Sequence, residues 1–422
     1  MSVGGARRFA RLRQSLLGRR YWQRYRFTSG NDVKLLRSGD EFFEVLTGRI
    51  DAAQTDVVLE TYIFCDDSAG HAVSAALLRA VARGVKVRVI TDGIGTARLP
   101  LFNEWTLAGI EHRIYNPHLF GRFGFSRTHR KLAVVDDQFA YCGGINIVDD
   151  YENNGEKLPY RRWDFAVELH GPVVGDIRQA FELQWQRIRL GHRPLESMEP
   201  DPAPKTGASL GTLRRRRRRN RNRNEALWAG GQPCVAFVAR DNLINRRAIE
   251  KAYLTAIGQA RSEVLLANPY FMPGRKLRRA LVFAARRGVD VKLIIGRKEF
   301  AALDYAVPFL YRALLKAGVE IAEYEKTMLH GKVAVVDSNW ATVGSSNLDA
   351  LSLVLNNEAN VVLVNDPQIN ALREAILVAF KDSRRIEEVR YRARPAGERF
   401  LNWLAYTTYR AVMKLLTVGG YD

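Results

Sequence analysis

Two histidines stand at matched places in the chain, each followed at the same spacing by a lysine and an aspartate. His129, Lys131 and Asp136 form one His-x-Lys-x4-Asp motif, and His330, Lys332 and Asp337 form the other. An asparagine lies 17 residues after each histidine, Asn146 in GGIN and Asn347 in GSSN. Imidazole can attack an electrophile or carry a proton. Lysine and amide donors can hold an oxyanion. The small residues ahead of each asparagine, Ser345 among them, let an anion come close to backbone and amide donors. A lone His–Lys pair means little. Two at equivalent places are another matter, because unpaired buried charge is costly and a fold has no structural need of it twice. The remaining histidines, His71, His112, His118, His170 and His192, are scattered without ligand spacing, so neither metal nor other cofactor is expected.

The elements that must position these residues also come in pairs. VVLETYIFCDDSAG followed by SAALLRAVARGVKVRVITDG matches VLLANPYFMPG followed by RRALVFAARRGVDVKLIIG. Each copy reads as a β-branched strand, an amphipathic helix closed by a glycine (Gly84 or Gly288), and a second buried strand. The parallel runs on through AGIE and AGVE to the motifs themselves. Leu132–Val135 and Val333–Val336 are apolar and strand-like, so each histidine and its lysine, two apart, project to one face. Each aspartate lies seven after its histidine, an odd number, which on a continuous strand turns it to the other face. Asp136 and Asp337 are therefore read as architectural, holding a turn or the partner half, although they are counted with the motif's catalytic set. The expected fold is α/β: two tandem units, each a central mixed sheet flanked by helices, related by a pseudo-two-fold with one site between them.

The expected divisions are a basic amphipathic segment at 1–30, a first unit at 31–192, a Pro/Arg-rich linker at 193–232, a second unit at 233–390 and a basic-aromatic segment at 391–422. The formal charge is +20 and the pI about 10, which calls for an anionic partner: nucleic acid, another polyanion or an acidic membrane. Three cysteines, Cys65, Cys142 and Cys234, exclude a disulfide framework and suit a reducing compartment. The sequence shows neither a secretory h-region nor a stretch able to span a bilayer, so any membrane contact is expected to be peripheral.

The doubled motif with its G-x-x-N resembles the phospholipase D superfamily, over about 330 residues in both halves. The longer pattern, with Glu60-Thr61-Tyr62-Ile63-Phe64 and Arg161-Arg162-Trp163-Asp164 ahead of Gly171-Pro172, is similar to bacterial cardiolipin synthases of the subgroup without N-terminal transmembrane helices. The resemblance implies metal-free phosphodiester exchange. One histidine forms a covalent phosphohistidine, and His129 is the expected nucleophile. His330 is the expected acid that serves leaving and entering alcohols. Lys131, Lys332, Asn146, Asn347 and Ser345 are the expected phosphate-binding set. A downstream carboxylate orients each histidine in the family: Glu358, 28 after His330, and Asp164, 35 after His129, are each expected to reach back to the histidine of their own copy.

The implied activity is phosphatidyl transfer to phosphatidylglycerol or another alcohol, with hydrolysis of lipid or nucleic acid as the alternative. Lipid is favoured over nucleic acid by two basic-aromatic stretches, Arg7–Phe27 and Phe400–Val418, that fit interfacial helices on an anionic phospholipid membrane or helices packed on the protein or an oligomeric partner. It is favoured too by Phe120, Phe123 and Phe125, inserted just ahead of His129. The arginine run from Arg214 fits a solvated loop or a tether to acidic lipid. The location expected is the cytoplasmic face of a bacterial inner membrane. The sequence assigns no oligomeric state.

Overall fold

The computed structural model describes residues 25–118, 126–153, 156–190, 231–241, 245, 247–297, 301–349 and 351–416. The arginine run, Phe120, Phe123 and Phe125, and the stretch up to residue 24 lie outside the described residues. In the first half the strands are β1 (Asp32–Arg37), β2 (Asp56–Thr61), β3 (Lys86–Asp92), β4 (Glu111–Tyr115), β5 (Leu132–Val135), β6 (Phe139–Gly143), the short hairpin β7 (Glu152–Asn153) and β8 (Glu156–Lys157), and β9 (Phe165–His170). In the second they are β10 (Cys234–Arg240), β11 (Glu263–Asn268), β12 (Asp290–Gly296), β13 (Glu320–Tyr324), β14 (Lys332–Val336), β15 (Trp340–Gly344), β16 (Glu358–Val364) and β17 (Arg384–Arg385).

The two main sheets have one topology. The first runs β1-β9-β6-β5-β2-β3-β4 and the second β10-β16-β15-β14-β11-β12-β13, with β17 added at its edge. In each, three strands run parallel and are linked through helices, while the motif strand and its neighbours are antiparallel. Gly84 and Gly288 close the helices Ser68–Ala82 and Arg275–Arg286 at φ +87° and +88°, the left-handed conformation that glycine adopts without a Cβ penalty.

Strand alternation explains how two sheets become one molecule. Leu132 and Val134 of β5 join a core shared with Val333 and Val335 of β14, whereas Ala133 and Val135 face the helices of their own half. Strands β6 and β9 pack against β15 and β16. The helices Val174–Leu190 and Gln368–Lys381 fill the rest of this shared layer through Phe181, Trp185, Leu372 and Ile376. Parting the halves would expose a face on which each buried Val or Leu contributes roughly 1.5–3 kcal/mol. The halves are thus held in fixed register, which a site made from both requires.

Candidate active site

The motif strands begin late. β5 starts at Leu132 and β14 at Lys332, so both histidines sit on the approach to a strand. There the backbone crosses between halves. The His129 amide donates to the carbonyl of Asn357 at 2.9 Å, and the His330 amide to that of Trp163 at 2.9 Å. Isolated bridges join Thr128 to Asn357 and Leu329 to Trp163.

The side chains cross in the same sense. His129 Nδ1 lies 3.1 Å from Glu358 Oε2 and 3.1 Å from the Ser345 carbonyl. His330 Nδ1 lies 2.6 Å from Asp164 Oδ2. Both expected carboxylates are present, but each holds the histidine of the opposite half, not its own. Within one sheet β6 separates β5 from β9, and two strand spacings, about 9.6 Å, exceed the reach of a carboxylate. Across the interface the distance closes. The roles of Trp163, quoted only as part of the family pattern, and of Asn357 escaped the sequence reading because both act through backbone carbonyls. Their only sequence signal is a position immediately before each carboxylate.

Ser345 is placed differently from its expected role. Its hydroxyl donates to Glu358 Oε2 at 2.5 Å and accepts from the Ala359 amide at 3.0 Å, so it steadies the carboxylate instead of offering itself to a phosphate. The equivalent position in the first half is Gly144, where a Cβ would lie 2.2 Å from Asp164 Oδ1. A glycine there lets the shorter acid sit against the backbone. A serine braces the longer one.

Lys131 and Lys332 are 5% and 0% exposed. Lys131 Nζ donates to the His129 carbonyl at 2.8 Å, and Lys332 Nζ donates to the His330 carbonyl. Burial, with the charge of Lys332 beside it, brings Lys131 down to about 7. Burial also lowers both histidines, His330 to about 3, with the lysines adding to the effect and the partner carboxylates opposing it. Burial acts to raise Asp164 and Glu358, yet the facing histidines and lysines hold both below the usual carboxylate range. The site therefore pairs neutral imidazoles with ionised carboxylates. Nδ1–H donates to the carboxylate, and Nε2 carries the lone pair.

Asn146 Oδ1 accepts from the Ile63 amide at 3.2 Å, while Asn347 Oδ1 is buried with no donor among the described residues. Tyr62, quoted in the family pattern but given no role there, sets its ring edge-on to His129 at 4.8 Å and lies 5.3 Å from Lys131 Nζ. The approach to β5 is pinned by a buried pair, Arg130 to Glu60 at 2.8 Å, and by the Thr128 amide on Asp92 at 2.9 Å.

Asp136 and Asp337 do not belong to this cluster, which removes them from the catalytic set. They stand at the far ends of β5 and β14, in turns with two successive residues at positive φ: Asp136 and Asp137 at 53° and 55°, Asp337 and Ser338 at 52° and 54°. Asp136 accepts from the amides of Gln54, Thr55 and Asp56, and Asp337 from those of Arg261, Ser262 and Glu263. Each ties the motif hairpin to the start of the neighbouring parallel strand.

A cavity of about 340 Å³ opens beside His330, lined by Asn146, Asp150, Arg162, Asp164 and Met328 among others. Burial and the nearby charge of Asp164 push Asp150 up to about 7 against the amide of Gly39, which acts to lower it. No cluster of metal-ligating side chains occurs among the described residues, and no described helix is long and apolar enough to cross a membrane.

Two histidines anchored through Nδ1 to carboxylates of opposite halves, with two buried lysines whose charges act on both, define a class: a two-histidine site suited to covalent phosphoryl transfer. The pattern of the family described as cardiolipin synthase, PLD-like domain, matches residues 46–183 and 253–377. The chain is 38% identical over 378 residues to cardiolipin synthase B of Salmonella typhi, covering 85% of this chain and 83% of that one. It is 41% identical over 352 residues to cardiolipin synthase B of Escherichia coli strain K12, covering 79% and 76%. In fold it is similar to the crystal structure of phosphatidylserine synthase from Haemophilus influenzae Rd KW20, with a TM-score of 0.67 at 16% identity over 96% of this chain and 99% of that one. The chain belongs to the phospholipase D-like cardiolipin synthase family.

Proposed function

We propose that this protein is a cardiolipin synthase-type phosphatidyltransferase working through a covalent phosphohistidine. The crossed pairing of His129 with Glu358 and His330 with Asp164 carries the reading. With each Nδ1 held by a carboxylate, each Nε2 is left free to act at phosphorus, and in this reading both serve the same one. His129 Nε2 attacks phosphorus, the P–N bond forms and the ester bond to the leaving alcohol breaks, with His330 delivering a proton to the departing oxygen. An entering alcohol then gives its proton to His330 as its oxygen displaces His129. A phosphodiester anion in the site offsets the lysines and raises His330 toward the range in which it can act as an acid. Lys131, Lys332 and the two asparagines hold the phosphoryl oxygens.

Phosphatidylglycerol is the acceptor that the family's activity implies, and the protein meets it at the surface of an anionic membrane. Two features support that contact: the helix Ala396–Leu416 exposes Phe400 and Leu415, and the helix Arg275–Arg286 carries Arg275, Lys276, Arg278, Arg279 and Arg286 with no acidic residue. The free cysteines and the basic surface suit the cytoplasmic face. Purified protein incubated with phosphatidylglycerol is expected to yield cardiolipin and glycerol. Cleavage of DNA without cardiolipin formation would overturn the proposal in favour of a nuclease.

A further inference from the structure

The two-fold likeness of the halves breaks down on one side of the site. The cavity beside His330 is walled by first-half loops that carry Asp66, Asp67, Asp150 and Glu152. The bridges Phe64–Ile147 and Phe271–Leu348 fix the equivalent second-half positions, which hold Pro273, Gly274, Leu351 and Leu353. At these four positions the His330 side carries carboxylates and the second half none, although Asp349 of the second-half loop stands where the first half has Val148.

Most of the polar groups in this wall are already engaged. Asp67 accepts from the amides of Gly70 and Asp149, and Asp66 lies 3.0 Å from His71. Arg162 turns its guanidinium onto the carbonyls of Asp149 and Glu152. Asp150 is 5% exposed and differs: Oδ2 accepts from the Gly39 amide at 2.5 Å, and Oδ1 has no hydrogen-bond partner among the described residues. A buried carboxylate with one open acceptor, lining a cavity that also contains His330 and Asn146, repels a phosphate and suits a hydroxyl donor. The volume fits a small polyol better than a diacyl lipid.

Building on the phosphatidyl-transfer reading, we infer that this cavity binds the uncharged, hydroxyl-bearing end of the alcohol that enters or leaves at phosphorus, with Asp150 Oδ1 accepting from one of its hydroxyls. The reacting hydroxyl then lies on the His330 side. As its oxygen bonds to phosphorus, its proton passes to His330 Nε2 and the P–N bond to His129 breaks, so the electrons of that bond return to His129. The placement also breaks the near-equivalence of the histidines: the one beside the polyol cavity handles the alcohol's proton, and the other holds the phosphatidyl group.

The test uses the full chain with phosphatidylglycerol vesicles and added isotopically labelled glycerol as the acceptor probe, measuring both the label exchanged into phosphatidylglycerol and the competing release of phosphatidic acid to water. Asp150→Asn keeps an acceptor for the Gly39 amide and removes the charge, and Asp150→Leu installs the residue of the other half. The expected result is a glycerol KM raised about tenfold in Asp150→Asn and further in Asp150→Leu, with products shifted toward phosphatidic acid, and Glu152→Gln at the rim giving a smaller rise. A merely structural role would lower transfer and hydrolysis in proportion at constant glycerol KM, and that result overturns the subsite while leaving phosphatidyl transfer standing. Failure of the unaltered protein to cleave phosphatidylglycerol at all would overturn both.

Discussion

Glu358 belongs to the second half and His129 to the first, yet Glu358 Oε2 lies 3.1 Å from His129 Nδ1 and is itself braced by the Ser345 hydroxyl. Glu358→Gln keeps the shape and removes the charge that fixes the imidazole tautomer. The expected outcome is a fall in kcat of about 10²–10⁴, the scale of losing an orienting carboxylate behind a catalytic histidine, with little change in KM. Ser345→Ala, which leaves the carboxylate in place, is expected to cost roughly tenfold. Steady-state kinetics check both, and equal effects of the two would count against the chain of support from serine to glutamate to histidine.

The two histidines are expected to differ in what they trap. Quenching the enzyme with radiolabelled lipid should give an acid-labile, base-stable phosphohistidine adduct in the unaltered protein. The adduct should be absent in His129→Ala; in His330→Ala it should form more slowly, without the acid for the leaving alcohol, and persist once formed, because the acceptor lacks its base. An adduct that persists in His129→Ala would reverse the assignment of roles.

Much of this site was legible because its signals are local. The motif spacing, the matched asparagines and the alternating strand runs recur in both copies within short windows. The odd spacing of seven correctly separated Asp136 and Asp337 from the histidines, although their motif membership had placed them in the catalytic set. The crossing of Asp164 and Glu358 was not legible. Which histidine a carboxylate meets depends on how two sheets pack, and neither 28 nor 35 residues of separation carries that information. Ser345 was misread for a similar reason: a small residue near an anion site and one bracing a longer acid look alike in sequence, and only the contrast with Gly144 distinguishes them.

Lys131 sets a pH dependence for anion binding. Burial and Lys332 bring it down to about 7. A bound anion favours its protonated form and raises that value, so the affinity contributed is fully present below about 7 and lost as pH rises through it. Sulfate, which does not titrate in this range, is expected to inhibit competitively with a Ki that rises up to about tenfold per pH unit above 7. Inhibition curves at pH 6, 7 and 8 check this. In Lys131→Arg the slope should disappear, because guanidinium stays charged.

Asp337 is a stability residue. Its carboxylate gathers three amides and the Ser262 hydroxyl at 2.7–3.0 Å, and although burial acts to raise it, these donors hold it below the usual range. A depressed folded-state value stabilises above the unfolded value of about 3.9 and ceases to do so as pH falls through the folded value. Asp337→Asn is expected to cost about 1–2 kcal/mol at pH 7, the lower part of the range for charged hydrogen bonds because the turn is partly solvated. The gap from the unaltered protein should narrow in melts below pH 4. A variant with an unchanged Tm at pH 7 would contradict the architectural role.

The helix Ala396–Leu416 has two apolar faces, and only one is covered. Asn402, Tyr406 and Met413 pack inward, whereas Phe400, Leu404 and Leu415 on another face are 60%, 45% and 80% exposed. Its neighbour, the helix Arg275–Arg286, has no acidic residue and touches it where the Arg278 guanidinium lies 6.0 Å from the Tyr406 ring. That basic helix starts from the loop after β11, at the end of the sheet where β14 begins and the histidines gather. Apolar side chains beside arginines, at the active-site end of the molecule, match an anionic lipid surface, where each basic residue adds about 1 kcal/mol. In flotation with phosphatidylglycerol vesicles, Phe400→Ser with Leu404→Ser is expected to weaken binding at least tenfold. Lys276→Glu with Arg279→Glu should do the same and abolish most of the salt dependence. Turnover of phosphatidylglycerol dispersed in detergent should be spared in both. Unchanged flotation would exclude this face as the membrane contact, and a change from dimer to monomer in light scattering would assign it to a second copy of the chain.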